Sequence, residues 1–300
     1  MPGPGHEVWQ LISADIRTRT GCEFSIETVR PVSGGCINQS AAVSDASATY
    51  FVKINASESL CGFEAETQAL QALAATNTLR VPMPVCSGKA GAYAWLVLEY
   101  LGTLGASATA NWNLLGSGLA SMHRHEQECF GWHRDNNIGS TLQVNTPAND
   151  WINFFRDQRI GYQLDLAIGN GYAHQLETRG NSLLDNLGHF FPGYKPRACL
   201  LHGDLWAGNV GFSADGVPVV FDPASYYGDR EADIAMTELF GGFPTDFYRA
   251  YESAWPLDQG YAVRKHLYNL YHLLNHLNLF GAGYLPQCQS TIDRLLAELG

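Results

Sequence analysis

A chain of 300 residues is long enough for one large domain or two modest ones. With 46% hydrophobic and 16% charged residues it can bury a sizeable core, which excludes a disordered chain. Lys+Arg number 18 against 29 Asp+Glu, a net charge of −11; this excludes a nucleic-acid or anionic-membrane surface and favours a cationic small substrate. No apolar stretch reaches the ~18 residues of a membrane span. The longest run, Leu267 to Leu285, is broken by His272, Asn275, His276 and Asn278. Met1 to Gly21 lacks a basic-then-apolar signal pattern. The seven cysteines are scattered without a C-x-x-C, as expected of reduced thiols and not of a disulfide framework or zinc site. A cytoplasmic enzyme is expected, with no nucleic-acid or membrane partner.

In chain order, the first helix is predicted over about residues 6–20, with Val8, Leu11, Ile12 and Ile16 on one face. Short β-rich runs follow at Phe24–Val32, Ile37–Val43, Tyr50–Ile54, Pro84–Ser87 and Trp95–Glu99, the pattern of a meandering antiparallel sheet. One helix, about Leu60 to Ala75, interrupts them and buries Phe63, Ala69, Leu70 and Leu73. Leu101 to Ala110 is rich in small residues and reads as a hinge. Beyond it helices are predicted at Trp112–His125, Trp151–Asn170, Leu176–Phe190, Ala232–Phe240, Thr245–Ala254 and Gly260–Phe280, around a β-rich island from Leu200 to Tyr227. The expected architecture is α+β: a small antiparallel sheet lobe with one helix over residues 1–98, a hinge at 99–105, and a larger, mainly helical lobe over 106–300.

The island reads Leu201-His202-Gly203-Asp204-Leu205-Trp206-Ala207-Gly208-Asn209-Val210. An Asp followed five positions later by Asn is the catalytic-loop spacing of kinases. One loop must deliver two oxygens in different directions, a carboxylate to the acceptor hydroxyl and an amide oxygen to Mg²⁺. Thirteen residues on, Val219-Val220-Phe221-Asp222 places a second metal-binding carboxylate at the end of an apolar strand. Either residue alone is more often a turn or cap residue; the combination is much rarer.

The sheet lobe supplies matching parts. Phe51-Val52-Lys53-Ile54 is an apolar strand carrying a lysine, which is costly to bury unless paired. Glu66, on the only helix of that lobe, is the expected partner that holds Lys53 against phosphate, with Glu64 as its rival. Ser33-Gly34-Gly35-Cys36-Ile37-Asn38 is a turn between two β runs whose N–H groups can approach phosphate oxygens; it also reads as an ordinary hairpin turn. Walker A, Rossmann, G-x-S-x-G and H-E-x-x-H motifs are absent. Asp222 is followed almost at once by Tyr226-Tyr227-Gly228-Asp229-Arg230-Glu231, which leaves no room for a peptide platform, so the acceptor is a small molecule.

With these residues in hand, the sequence resembles the fructosamine-3-kinase/ketosamine-3-kinase family, within the protein kinase-like two-lobe fold shared with aminoglycoside and choline kinases. The resemblance runs from about Ser33 to Leu296 and rests most on His-Gly-Asp-Leu-Trp-x-Gly-Asn and Asp-Pro-Ala-x-x-Tyr-Gly. It implies Asp204 as catalytic base, Asn209 and Asp222 as Mg²⁺ ligands, Lys53 and Glu66 as the phosphate lysine and its partner, and Gly34, Gly35, Cys36, Ile37 and Asn38 as the phosphate turn. It implies Glu99, Tyr100 and Leu101 as the hinge that binds the adenine of ATP, and His202, Trp206 and His276 as substrate residues. The implied reaction is ATP-dependent phosphorylation of the 3-hydroxyl of a free or protein-bound ketosamine, whose 3-phosphate then releases the amine.

Some family members carry a cysteine at the position of Cys36 that links two chains on oxidation, so a monomer or a redox-linked homodimer is expected; a small residue filling a turn is the equal alternative. Asp229 and Asp233 read as helix N-cap and first-turn residues, with amine binding as the alternative; His123 and His125, beside Glu126, as exposed-face histidines before a metal site; and Tyr261, Tyr268, Tyr271 and Phe280 as core before a stacking platform. Asp135-Asn136-Asn137 reads as a loop near the pocket rim. The competing functions are another small-molecule kinase of the same fold, acting on an aminoglycoside, choline or homoserine, and a silent nucleotide-binding scaffold.

Overall fold

The computed structural model describes residues 4–32, 38–102, 104–105 and 110–299. Gly34, Gly35, Cys36 and Ile37 of the expected phosphate turn, and Thr103 and residues 106–109 of the expected hinge region, lie outside the described residues. By internal packing the chain forms two units, Met1–Asn111 with Val210–Pro223, and Trp112–Asn209 with Ala224–Gly300.

The first unit is a five-stranded antiparallel sheet. Helix α1 (His6–Thr20) leads into β1 (Thr28–Pro31), β2 (Gln39–Ser44) and β3 (Thr49–Ala56); helix α2 (Leu60–Ala75) separates these from β4 (Pro84–Ala90) and β5 (Tyr93–Glu99). The strand order is β1-β2-β3-β5-β4, so the sheet is not the simple meander expected. Composition explains the exchange. Ala94 to Leu98 of β5 are buried and fit a central position, whereas β4, with Gly88 and Lys89, suits the edge.

Alternation along β3 puts Val52 and Ile54 on the face packed by Ile12 and Ile16 of α1, with Trp95 and Val97 of β5. Each fully buried isoleucine contributes about 1.5–3 kcal/mol. The stripe on α1 runs 8, 12, 16; Leu11, expected on it, is exposed, because it falls off that four-residue spacing. Lys53 takes the opposite face of β3 and meets α2.

Residues 210–223 join this unit through backbone pairing. The hairpin strands Val210–Phe212 and Pro218–Val220 are bridged to Gly105 and Arg80 at Phe212 and Val219, and Val220 N–H donates to the Arg80 carbonyl at 3.0 Å. The strand leading to Asp222 is therefore built into the sheet unit, although it lies far along the chain among helical residues.

The second unit is mainly helical: α3 (Trp112–Met122), α4 (Trp151–Phe155), α5 (Tyr162–Ala167), α6 (Ala173–Asp185), α7 (Glu231–Leu239), α8 (Thr245–Ala254), α9 (Tyr261–Phe280) and α10 (Leu285–Ala297). Wider, π-type turns at Arg156–Gly161 and Ile168–Tyr172 connect α4, α5 and α6, and Gly171, at φ 98°, breaks the second of them. The predicted helix over 151–170 is thus helical along its length, with π-type turns in it, and the break at Gly171 falls one residue past the predicted end. Residues 135–137, expected as a loop, lead into a hairpin, β6 (Asn136–Ile138) with β7 (Thr141–Gln143), whose amides are turned inward. Among the described residues no helix is long and apolar enough to cross a membrane.

Candidate active site

In the sheet unit the site is built on Lys53. Its side chain is 95% buried, with Nζ 2.6 Å from Glu66 Oε1 and 2.6 Å from Asp222 Oδ1. Burial opposes the ammonium charge, but Asp222 and Glu66 outweigh it and hold the pKa above its ordinary value, so Lys53 is a cation at neutral pH. Burial pushes the Glu66 carboxyl up while Lys53 pulls it back. Glu66 is the partner and not Glu64, since only Glu66 bonds Lys53 from α2. Asp222 sits at φ 56°, a left-handed conformation that a short polar side chain tolerates. Removing one partner of a buried ion pair costs about 3–5 kcal/mol. Glu66→Ala should therefore lower stability by that order in urea denaturation and raise KM for ATP; an unchanged midpoint and KM would remove Glu66 from the site.

The rest of the expected nucleotide hinge is partly committed. Glu99 N–H donates to the Met83 carbonyl at 2.8 Å, and its carboxylate accepts from Arg80 Nη2 at 2.7 Å, so its N–H is not available to adenine. Tyr100 Oη accepts from Arg30 Nη2 at 2.6 Å. Asn38 Oδ1, next to the phosphate turn in sequence, accepts from Asn55 Nδ2 at 2.7 Å.

In the helical unit the loop from His202 to Asn209, the expected catalytic loop, is fixed by its backbone. Asp233, on the first turn of α7, accepts from His202 N–H (2.7 Å) and Gly203 N–H (2.8 Å) through its two oxygens, and from His123 Nε2 at 3.1 Å. This corrects two expectations. Asp233 anchors the loop instead of serving its own helix end. His123 is fully buried, whereas His125 is exposed. The signal for His123 was present: Leu115, Leu119 and His123 follow at four-residue intervals, and both leucines are completely buried.

The ionised Asp233 only accepts, so neutral His123 donates from Nε2 and its Nδ1 accepts from Tyr251 Oη at 2.8 Å, while Arg230 Nη1 donates to the same Oη at 3.0 Å. Burial, opposed by Asp233, holds the His123 pKa below its ordinary value. Burial raises that of Asp233, but His123 and the loop outweigh it and keep Asp233 ionised. Asp229, expected as a cap, does accept from Glu231 N–H, and also binds the buried hydroxyls of Tyr194 and Tyr268.

Within the loop Asn209 Nδ2 donates to Asp204 O (2.9 Å) and Asp204 Oδ2 (3.0 Å), which ties the amide to both the backbone and the carboxylate of residue 204. Gly203, at φ 84°, lies so close to the Ala224 carbonyl that a Cβ would sit 2.1 Å from it. Ala224 N–H donates to the His202 carbonyl, and Ala224 O accepts from Gln143 Nε2 at 3.0 Å. The amide side chains of Gln143 and Asn136 thus hold the segment that follows Asp222, a role that polar residues in a presumed loop did not suggest.

Of the expected substrate residues, His202 is buried and its Nδ1 accepts from Asp204 N–H at 3.3 Å, a bond that braces the loop. Trp206 is exposed and edge-on to Phe240, and Phe240 packs on His276 with ring centres 4.8 Å apart.

Asp222 and Asn209 offer a carboxylate and an amide oxygen, hard donors of the kind Mg²⁺ takes together with substrate phosphates. Among the described residues no three His, Cys, Asp or Glu side chains gather into a metal cage.

An ion-paired lysine on a five-stranded sheet, with an Asp-x-x-x-x-Asn loop on a helical unit, defines a phosphotransferase of the kinase-like fold. A choline kinase from Streptococcus pneumoniae has this fold at a TM-score of 0.62, with 16% identity over 97% of this chain and 99% of that one. The sequence profile of the fructosamine kinase family matches residues 8–298, and the chain belongs to that family. It is 44% identical to a probable ketoamine kinase of Synechocystis over 99% of both chains. It is 40% identical to a chloroplastic protein-ribulosamine 3-kinase of Arabidopsis thaliana over 93% of this chain and 86% of that one. The crystal structure of a proposed fructosamine-3-kinase from Haemophilus somnus superimposes at a TM-score of 0.88, with 30% identity over 95% and 96% of the two chains.

Proposed function

We propose that the protein transfers the γ-phosphoryl group of ATP to the 3-hydroxyl of a ketosamine, with Asp204 as base, Lys53 on the α- and β-phosphates, and Asn209 and Asp222 as ligands of Mg²⁺. The observation that carries the reading is the Asn209 amide bonded to both Asp204 O and Asp204 Oδ2. It ties together on a single loop the carboxylate and the amide side chain that phosphoryl transfer to an alcohol would draw on as base and as metal ligand. Bound Mg²⁺ would screen the charge of the triphosphate. Lys53, kept cationic by its two carboxylates, adds a fixed positive charge. Asp204 orients the hydroxyl and accepts its proton late, because the transition state is loose. The acidic surplus suits an acceptor bearing a protonated amine.

The test is Mg²⁺-dependent ADP release with synthetic ribulosamine, erythrulosamine and fructosamine adducts, beside choline, homoserine and an aminoglycoside. Turnover confined to the ketosamines is expected. Turnover with choline or an aminoglycoside alone transfers the reading to the alternative substrates, and ADP release with none of them sinks it.

A further inference from the structure

The aromatic contact at Trp206 does not stop at His276. Phe280, the last residue of α9, packs on the His276 ring at 5.3 Å between centres, and Tyr284 does so at 5.1 Å. Gly281, at φ 87°, ends the helix and lets the chain fold Tyr284 back beside Phe280, 6.3 Å away. The result is a continuous run of rings that begins two residues from Asp204 and ends at Phe280. Sequence reading placed Phe280 in the core, yet it is 54% exposed, the highest value among the exposed large hydrophobic residues. Trp206 at the other end is 37% exposed.

The rings are set in place rather than loosely gathered. A Cβ on Gly208 would lie 2.3 Å from the Trp206 indole, so the indole rests on the backbone of its own loop. His276 Nδ1 bonds the His272 carbonyl at 2.8 Å; a carbonyl only accepts, so the proton is on Nδ1 and Nε2 carries a lone pair. Burial holds the His276 pKa below its ordinary value, so the imidazole is neutral at pH 7. A neutral acceptor caged by Phe240, Phe280 and Tyr284, beside an exposed indole, is matched to a substrate that carries an N–H donor followed by an apolar body.

We infer that Phe280 and Tyr284, with Phe240 behind them, form the wall that receives the amine-derived substituent of the ketosamine, and that they set a preference for adducts of amines whose side chain carries an aromatic ring over adducts of small alkyl amines. The inference rests on the ketosamine reading. Trp206 lies two residues from Asp204, so a ketosamine with its hydroxyl at Asp204 would present its amine end to the Trp206 indole and, along the ring contacts, its substituent to His276 and Phe280. An aromatic ring placed against Phe280 and Tyr284 gains stacking and buried area that a methyl group cannot, worth about tenfold in affinity.

The experiment compares kcat/KM for the ribulosamines of benzylamine and of methylamine in wild type, Phe280→Ala/Tyr284→Ala and Phe280→Tyr. Wild type is expected to favour the benzyl adduct by about tenfold, the double variant to bring the ratio near one, and Phe280→Tyr to keep it. A general loss of folding lowers both rates together and does not move the ratio. The same ratio in wild type and the double variant overturns the inference. If that double variant instead changes the sedimentation coefficient while its ratio stays at the wild-type value, the wall is a contact between copies of the chain and the inference fails. Phosphorylation of neither adduct by wild type overturns the ketosamine reading itself, a result distinguishable from a constant ratio.

Discussion

Asp204→Ala is expected to lower turnover by about 10²–10⁴-fold, the range for loss of a general base, while leaving ATP affinity close to wild type. The separation of the two effects follows from the loop. Asn209 Nδ2 is bonded to the carbonyl of residue 204 as well as to its carboxylate, and the carbonyl survives the substitution. Asn209 Oδ1 therefore keeps its direction. The loop backbone is held independently by Asp233 at His202 and Gly203, so loss of one side chain does not release it. Lys53, Glu66 and Asp222 are untouched. Single-turnover phosphoryl transfer and ATP binding measured by calorimetry would check both halves. Wild-type turnover excludes Asp204 as the base, and a parallel loss of ATP affinity would place it in the nucleotide site instead.

The parts that sequence made legible are those whose chemistry is local. The Asp204-to-Asn209 spacing is a property of one loop, and a lysine in an apolar strand announces a buried partner; Glu66 and Asp222 are both found bonded to it. The antiparallel sheet and the Thr245–Ala254 helix are set by alternation and by the 3.6-residue period in short windows. What sequence concealed depends on residues far apart in the chain. The apolar run Ala94 to Leu98 suits β5 to a central position, but that it pairs with β3, about 40 residues earlier, as well as with β4 is a long-range fact no short window carries. Asp233 looked like a cap because Asp in a first turn usually is one, and only the returning loop 30 residues earlier makes it an anchor. Gln143 and Asn136 are polar in a short hairpin, and polar residues read as surface until the carbonyls of Ala224 and Ser225 are brought to them. Phe280 erred in the other direction: nine residues beyond Tyr271, it lies about 180° around the helix from that ring, off the buried stripe, and is exposed.

Asp233→Ala should be the most destabilising single change among the site residues. It leaves three buried donors, His202 N–H, Gly203 N–H and His123 Nε2–H, with no acceptor, at about 1–3 kcal/mol for each. A loss of several kcal/mol lowers Tm by on the order of 10 °C. Asp233→Asn is the informative variant. It keeps one acceptor oxygen and turns an NH₂ toward a donor, so the loop loosens while the fold persists. The expected readout is a fall in kcat larger than any change in ATP affinity, and equal changes in both would rule out loop positioning. Solution pH probes the same cluster. The folded pKa of His123 lies below 6.5, so as pH falls through 6.5 the unfolded chain takes up a proton that the folded chain does not, and stability drops by up to about 1.4 kcal/mol per pH unit. Asp233, whose folded pKa lies below 3.8, contributes stability that is complete above 3.8 and is lost only at lower pH, so it is silent in this range. Urea denaturation at pH 6.5 and 5.5 should therefore show a larger loss in wild type than in His123→Gln, since the other histidines contribute equally to both. Equal losses would mean that His123 is not held neutral beneath the catalytic loop.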